Sequence, residues 1–339
     1  MHSSSAPAPS DDDLAQRIHA AVDAGELRGV TAGPIETLGV GESYTTWRIG
    51  SGDQTRVLRV PRRSPHEMPR SMEAEFEVLR RVPPDLGSSA IALETGVDNP
   101  LGSPYMVTTH VPGRVLHATD WNRRLATALA QRIARLHGAL AAGPAPSAAL
   151  VPSSCEQGEE LLTWWGRHHP ETLTDPRVTA LLPAWRRELV RLAPAFEAVP
   201  THPLIHGDVV VTNVVLGPDG APRLIDFEWS DSGDTAKDLA LIGGRVTGGP
   251  WYLPMSPDDV AAFVTEYSRY ARQSRHLRRS RLAQCTGAID PQQLLERRDA
   301  YELLDRLGNL LYCLSRPGEA CYGRWADELA HSLVTRLAD

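Results

Sequence analysis

The sequence predicts an α+β protein, in which a small N-terminal lobe with an antiparallel sheet and one main helix precedes a larger, mostly helical C-terminal lobe. Two observations carry this prediction. Short segments rich in β-branched and aromatic residues, separated by turns, occupy much of the chain before Pro112-Gly113. Beyond that dipeptide, apolar residues recur every three or four positions over long segments, as they do on one face of a helix.

The predicted lobes have boundaries that follow these shifts in composition. Residues 1–13, rich in Ser, Ala, Pro and Asp, are expected to form a disordered tail. The N-terminal lobe is then 14–111, with a hinge at 106–113, and the C-terminal lobe is 114–339.

Composition excludes several classes of protein. The 339 residues include 42% hydrophobic and 23% charged residues, which is ordinary for a globular chain, and the net charge of −7 does not fit a nucleic-acid-binding surface. No apolar run approaches the length of a membrane helix, and the N-terminus lacks the basic and apolar regions of a signal peptide. We therefore expect a cytoplasmic monomer or homodimer with reduced cysteines and no membrane or nucleic-acid partner.

Four elements are predicted in the N-terminal lobe. Leu14 to Leu27 has the periodicity of a helix, and a hairpin is expected where 46–49 and 55–60 flank a Gly-rich turn. A second helix is predicted over Ser71 to Arg81, and Tyr105 to Thr109 is predicted to be a buried strand.

The C-terminal lobe is predicted to be helical. Asp120 is a plausible N-cap for a helix whose apolar stripe runs from Leu125 to Leu140, and 141–152 has the composition of a linker. Further helical patterns cover 156–167, 177–199, 258–280, 291–314 and 322–337.

The segment from Leu204 to Trp229 carries the candidate chemistry. Two apolar runs flank a Gly-Pro-Asp-Gly turn at 217–220, which predicts a hairpin. Because a hairpin brings its open ends together, Asp208, Asn213 and Asp226 are expected to converge. Carboxylate and amide oxygens suit Mg²⁺, and one carboxylate could instead accept the proton of an attacking hydroxyl.

These motifs resemble those of the aminoglycoside phosphotransferase family, which shares its fold with choline kinases. His206-Gly-Asp208 followed by Asn213 is similar to the family's catalytic loop, and Ile225-Asp-Phe-Glu228 is similar to its metal-binding segment. The resemblance implies a protein-kinase-like two-lobed fold that uses ATP and Mg²⁺. It also implies a role for each of six residues: Asp208 as catalytic base, Asn213 and Asp226 as magnesium ligands, and His206, Glu228 and Asp238 in support.

The same resemblance assigns the nucleotide site to the N-terminal lobe, and catalysis and substrate binding to the C-terminal lobe. The loop from Leu38 to Trp47, with Gly39, Gly41 and Ser43, lies where a phosphate-covering loop belongs, although a plain turn is an alternative. Adenine would be received at the hinge, by Thr109 and Val111.

Arg59 occupies the place of the kinase strand lysine. Lys237 is the only lysine in the chain, so a cation at this position must be arginine. A solvated strand arginine is the alternative. Glu75 is the best candidate to orient Arg59, and Glu73 is the second.

The acceptor is the least specified part of the prediction. Residues from 247 onward carry 12 Asp and Glu against 12 Arg, which argues mildly against a polycationic substrate. Candidate contacts are Trp229, Asp231, Trp251, Tyr252 and Glu266. The first hypothesis is that the chain phosphorylates a hydroxyl of an antibiotic or a sugar-like metabolite. Its role would then be in antibiotic resistance or in metabolism. A choline- or ethanolamine-like kinase and a non-catalytic pseudokinase are the alternatives.

Overall fold

The computed structural model of the chain describes residues 11–140, 149–277 and 290–338, and these form two compact units. The first unit contains the described residues up to Pro112 together with Ile225–Ser230, and the second contains Gly113–Leu224 and the described residues from Asp231 onward. Most of the predicted tail (1–10), part of the predicted linker (141–148) and the end of one predicted helix (278–280) lie outside the described residues.

A five-stranded antiparallel sheet forms the first unit, with the strand order β1-β2-β3-β5-β4. The predicted hairpin is confirmed, because β2 and β3 pair antiparallel with Thr46 opposite Arg59. Alternation along these two strands buries Trp47, Ile49 and Leu58 in the core of the unit. The strands are β1 (Ile35–Val40), β2 (Tyr44–Ile49), β3 (Arg56–Pro61), β4 (Ala90–Glu94) and β5 (Tyr105–Thr109).

Two helices complete the first unit. Helix α1 (Asp11–Asp23) begins three residues before the predicted start, so the prediction of a disordered tail is wrong for residues 11–13. Acidic residues at a helix N-terminus interact favourably with the helix dipole, which explains why the helix extends into this run of aspartates. Helix α2 (Met72–Leu79) is capped by Ser71, whose Oγ accepts a hydrogen bond from the Ala74 N–H at 3.2 Å.

Short strands frame the loops of the second unit. Strands β8 and β9 form the second predicted hairpin, with Val214 paired to Leu224. Gly113 has a φ of +142°, and a Cβ there would lie 2.1 Å from the Leu216 carbonyl oxygen, so only glycine fits at this point. The strands are β6 (Arg114–Val115), β7 (His202–Ile205), β8 (Val214–Leu216), β9 (Pro222–Leu224), β10 (Asp231–Gly233), β11 (Gly243–Gly244) and β12 (Leu253–Pro254).

Helices make up most of the second unit: α3 (Arg123–Leu140), α4 (Ser154–His168), α5 (Pro170–Leu173), α6 (Pro176–Leu192), α7 (Thr235–Leu241), α8 (Pro257–Leu277), α9 (Pro291–Leu314) and α10 (Ala320–Ala338). Helix α9 has the predicted bounds, whereas α6 ends seven residues before the predicted Val199, shortly before Pro194. Among the described residues, no helix combines the length and apolarity needed to cross a membrane.

The predicted N-cap at Asp120 is wrong. The carboxylate of Asp120 is held by the Arg114 guanidinium through hydrogen bonds of 2.5 and 2.6 Å. Helix α3 starts at Arg123, and Asn122 Oδ1 accepts the Leu125 N–H at 3.1 Å, which is the capping contact. The Asp120 carboxylate is therefore shared between Arg114 and the His117 N–H, which donates to Oδ2 at 2.9 Å, and it does not cap α3.

Candidate active site

In the first unit, Arg59 lies between two carboxylates. Its side chain on β3 is only 12% exposed. Nη1 donates to Glu75 Oε1, and Nη2 donates to Asp226 Oδ1 at 2.7 Å. The hydroxyl of Tyr44 donates to Glu75 Oε2 at 3.1 Å, and the Tyr44 ring lies 4.0 Å from the Arg59 guanidinium carbon. Three side chains therefore fix the orientation of this guanidinium.

Local periodicity explains this arrangement. Thr46 is opposite Arg59 in the β2–β3 pair, and Tyr44, two residues away, projects from the same face. In α2, Met72, Glu75 and Leu79 share one buried face, because they are spaced by three and four residues. The structure thus brings Glu75, and not the exposed Glu73, to Arg59.

Burial and charge act in opposite directions on these groups. Burial alone would lower the pKa of Arg59, but the negative charges of Glu75 and Asp226 raise it above its usual value. Burial raises the pKa of Glu75, and the positive charge of Arg59 opposes that rise. Arg59 therefore stays cationic at any working pH and holds two acidic side chains at one place.

The Asp226–Glu228 segment combines an uncommon backbone conformation with two acidic side chains. Asp226 has a φ of +66°, which is uncommon for a residue other than glycine, and its side chain is 35% exposed. Burial, followed by the charge of Asp226, raises the pKa of Glu228 to about 8. Glu228 Oε2 is buried, and within the described part of the chain it has no hydrogen-bond partner.

These donors fit a hard divalent cation. Two carboxylates within three residues, one of them with an unsatisfied buried oxygen, are the ligands that Mg²⁺ prefers. Over residues 11–140, 149–277 and 290–338, no group of three or more His, Cys, Asp or Glu side chains is placed to hold a metal. A cation at Asp226 would therefore need further ligands of other kinds, such as an amide, phosphate or water oxygen.

The predicted phosphate loop is the tight turn between β1 and β2. The Gly41 N–H donates to the Tyr44 carbonyl at 2.8 Å, and the Arg62 guanidinium donates to the Gly41 carbonyl at 2.7 Å. Ser43 is buried and hydrogen-bonds the Glu228 side chain. Gly39 lies within β1, where an added Cβ would meet no atom within 4 Å, so packing does not require glycine there.

At the predicted hinge, Thr109 is already engaged. Its N–H donates to the Ser89 carbonyl at 2.9 Å, and its Oγ1 accepts the Ser89 N–H at 2.9 Å. Val111 follows two residues after the end of β5. Both polar groups of Thr109 that could donate or accept beside β5 are therefore used within the first unit.

In the second unit, Asp208 lies in a loop that follows β7. Asn213 Nδ2 donates to Asp208 Oδ2 at 2.7 Å and to the Asp208 carbonyl at 3.1 Å. The fully buried Asp238 of α7 accepts the N–H groups of His206 and Gly207, each at 2.8 Å. Gly207 has a φ of +83°, which suits glycine. The loop that carries Asp208 is thus tied to the core of its unit.

A histidine completes the support of this loop. His137 of α3 contacts Asp238 Oδ2 through Nε2 at 2.8 Å and the Tyr267 hydroxyl through Nδ1 at 2.8 Å. Burial alone would raise the pKa of Asp238, but the hydrogen bonds and charges of its partners, His137 first among them, lower it. Tyr267 is itself buried and packs against His137.

The candidate acceptor residues have different surroundings. Val211 N–H donates to the Trp251 carbonyl at 2.9 Å, so Trp251 and Tyr252 adjoin the Asp208 loop. Burial raises the pKa of the Tyr252 hydroxyl most. The negative charge of Asp305 raises it further, and that of Asp208 adds a weaker effect.

The other candidate acceptor residues lie away from this loop or at the surface. Glu266 is bound to Gln131 at 2.7 Å and to Arg269, within the packing of α3 against α8. The remaining candidates are Asp231, which is exposed on β10, and Trp229, which is 52% exposed in the first unit.

The sequence of this chain matches a known protein family. Residues 34–282 match the model of the phosphotransferase enzyme family. A search of curated proteins finds no matching sequence.

Solved structures share the fold. A thermostable mutant of aminoglycoside phosphotransferase APH(4)-Ia, in ternary complex with AMP-PNP and hygromycin B, is 18% identical with a TM-score of 0.56, over 90% of this chain and 93% of that one. The streptomycin–ATP–APH(2'')-IIa ternary complex is 13% identical with a TM-score of 0.52, over 97% and 96%. Choline kinase from Cryptosporidium parvum Iowa II is 14% identical with a TM-score of 0.55, over 89% and 88%. At these identities the likeness establishes the fold alone, which is the predicted protein-kinase-like α+β fold.

Proposed function

This chain belongs to the phosphotransferase enzyme family, and we propose on that basis that it is an ATP- and Mg²⁺-dependent kinase of a hydroxyl on a small molecule, such as an antibiotic or a sugar-like metabolite. The observation that carries the proposal is the placement of Asp208. Its carboxylate is paired with Asn213 at 2.7 Å on a loop whose backbone is anchored by the buried Asp238. A rigidly held, half-buried carboxylate suits the positioning that phosphoryl transfer requires.

Asp208 would act as the general base. It accepts the proton of the acceptor hydroxyl while that oxygen forms a bond to the γ-phosphorus of ATP. The bond from the γ-phosphorus to the β–γ bridging oxygen breaks, and ADP leaves. Because Asn213 donates to Asp208 through Nδ2, its Oδ1 is the atom left to bind a cation.

The metal would be held by Asn213 and Asp226. When bound, Mg²⁺ neutralises the negative charge of the phosphates during transfer. Glu228 supports this assignment as a second carboxylate with an unsatisfied oxygen two residues after Asp226. Arg59 would bind phosphate oxygens through the planar fork of its guanidinium, while Glu75 and Tyr44 keep that fork oriented.

A direct test is ADP release by the full chain, with Mg-ATP and a panel of hydroxylated acceptors. The panel contains aminoglycosides, a macrolide, nucleosides, amino sugars and choline, and each acceptor is also assayed with EDTA. We expect metal-dependent release above the rate without acceptor for at least one class. A chain that binds no Mg-ATP in calorimetry and releases no ADP with any acceptor would contradict the proposal and favour a pseudokinase.

Arg59→Ala is expected to raise the apparent KM for ATP by about 10- to 100-fold, because one charge-assisted contact to phosphate is worth roughly 1.5–3 kcal/mol. Arg56→Ala is the matched control. It removes an arginine from the same strand, whose guanidinium donates to the carbonyls of Asp53 and Thr55 instead. An Arg59 effect confined to the KM for the acceptor would contradict the assignment to nucleotide binding.

Asp226→Asn is expected to weaken the Mg²⁺-dependent part of ATP binding by at least about tenfold, because a neutral amide is a poorer ligand of Mg²⁺ than a carboxylate. Asparagine tolerates the positive φ of this position, so the backbone strain stays the same. The measurement is calorimetric titration with ATP, with and without Mg²⁺. If Mg²⁺ increases the ATP affinity of the variant as much as it does that of the wild type, Asp226 is not a metal ligand.

A further inference from the structure

A row of four aromatic side chains lies in the second unit. Trp251 precedes β12, Tyr312 is on α9, and Tyr322 and Trp325 are on α10. The ring centroids are 5.1 Å apart from Trp251 to Trp325, 5.1 Å from Trp325 to Tyr322, and 5.7 Å from Tyr322 to Tyr312. Each neighbouring pair packs edge to face. These residues are the aromatic row.

One end of the aromatic row adjoins the loop of the proposed base. The Trp251 carbonyl accepts the Val211 N–H at 2.9 Å, and Val211 is three residues after Asp208. The Trp251 end of the row therefore adjoins the loop that carries Asp208. The other end of the row is covered by the Arg316 guanidinium, 3.7 Å from the centre of the Tyr312 ring.

The aromatic row is not sealed inside the core. All four side chains are partly exposed, whereas Trp185 of α6 is fully buried and donates its Nε1–H to a backbone carbonyl. Aromatic side chains that contact one another and also keep some contact with water can form a ligand-binding face.

Charges near the row do not suit a polycation. Asp305 Oδ2 is bound by Arg306 at 2.6 Å and by the Tyr252 hydroxyl at 2.7 Å. Glu328 accepts the Gly249 N–H at 3.0 Å and lies 3.7 Å from Arg324. Asp305 and Glu328 are therefore each paired with an arginine, and the guanidinium of Arg316 adds positive charge at the far end.

We propose that the aromatic row is the acceptor-binding surface, and that the acceptor is a hydroxylated compound with a broad apolar ring face and at most one positive charge. This inference rests on the proposed kinase function and names its substrate class. Flat or puckered rings gain dispersion contacts with tryptophan and tyrosine side chains.

Trp325→Ala tests the inference, because Trp325 is the central member of the row. The probes are erythromycin, a hydroxylated macrolactone with one amine, and kanamycin, a polycation. We expect kcat/KM for erythromycin to exceed that for kanamycin by at least about tenfold in the wild type. We expect Trp325→Ala to raise the KM for erythromycin by about tenfold and to leave the KM for ATP within about a factor of two.

The matched control is Trp164→Ala. It removes a tryptophan of the second unit that is 48% exposed and stacks on His168 of α4, outside the row. Tyr322→Leu provides a second variant of the row with a smaller loss of volume. Calorimetric titration of erythromycin into the nucleotide-free chain measures acceptor binding independently of catalysis.

Several results would overturn the inference. A preference for kanamycin, or an erythromycin KM unchanged in both row variants, contradicts the proposed surface. Mg-ATP binding with neither turnover nor binding of erythromycin contradicts the substrate class and leaves the kinase proposal standing. If the chain does not bind Mg-ATP but binds erythromycin, and Trp325→Ala weakens that binding, the result contradicts the proposed kinase function. It would still support the aromatic row as a ligand-binding surface. A lower molecular mass of Trp325→Ala in light scattering, with unchanged erythromycin binding, would assign the row to contacts between copies of the chain.

Discussion

Asp208→Ala is expected to lower kcat by about 10²- to 10⁴-fold, while the affinity for Mg-ATP stays within about a factor of two of the wild type. The loss is large because a positioned carboxylate is the only proton acceptor that the proposed reaction assigns to the acceptor hydroxyl. Nucleotide affinity is expected to persist because the residues proposed to bind phosphate and metal remain. The measurement is ADP release with saturating acceptor, alongside calorimetric titration of Mg-ATP.

A second substitution separates proton transfer from loop structure. Asp208→Asn keeps an oxygen that can accept from Asn213 Nδ2, so the loop keeps its hydrogen bond while the base is lost. Asp219→Ala is the matched control, since Asp219 is exposed at the β8–β9 turn and pairs with Arg223 at 2.9 Å. More than about a tenth of wild-type activity in either Asp208 variant would contradict the assignment of the base.

Local patterns were sufficient to predict the elements that carry the candidate site. Gly-rich turns between β-branched runs predicted both hairpins, and the spacing of apolar residues predicted α9 to the residue. Such signals are contained within about 20 residues, so a single sequence reveals them. The pairing of Arg59 with Glu75 could be proposed because helix periodicity places Glu75 on the buried face of α2.

The sequence did not predict which of several possible partners a polar side chain binds. Aspartate is a common N-cap residue, yet the Asp120 carboxylate is bound by Arg114, and Asn122 caps α3 instead. Tyr44 completes the Arg59 cluster, because the β2–β3 register puts it diagonal to Arg59. These outcomes depend on register and on which partner comes nearest, neither of which local propensity determines.

The aromatic row illustrates the same limit at longer range. The sequence drew attention to Trp251 and Tyr252 but not to Tyr312, Tyr322 or Trp325. Trp251 and Trp325 are 74 positions apart in the sequence (325 minus 251). They meet only because α10 packs both on α9 and against the segment before β12. Aromatic residues at helical spacing usually fill the core, so their partial exposure had to be observed.

Asp238→Ala is expected to reduce the free energy of unfolding of the second unit by about 3–5 kcal/mol. The carboxylate is fully buried and satisfies the N–H groups of His206 and Gly207 as well as His137 Nε2. Its removal leaves three buried polar groups without this acceptor and releases the backbone that positions Asp208. We therefore expect kcat to fall as well, even at temperatures where the variant is folded.

The pH dependence of stability identifies the carboxylate as the source of this effect. The pKa of Asp238 is lowered in the folded state, so its stabilising contribution is complete above its unfolded pKa of about 3.9. That contribution is lost as pH falls through the folded pKa. The wild type should consequently lose stability below pH about 4 more steeply than Asp238→Ala does, as measured by urea unfolding between about pH 3 and 7.

Asp234→Ala distinguishes anchoring of the loop from general destabilisation. Asp234 is also buried, caps α7 through the Ala236 N–H, and pairs with Arg297 at 2.7 Å, but it does not bind the backbone beside Asp208. Both variants should lower the midpoint of urea unfolding, whereas only Asp238→Ala should lower kcat per folded molecule. Equal losses of kcat in the two variants would mean that Asp238 acts through the stability of α7, and its role would then not be the positioning of the base.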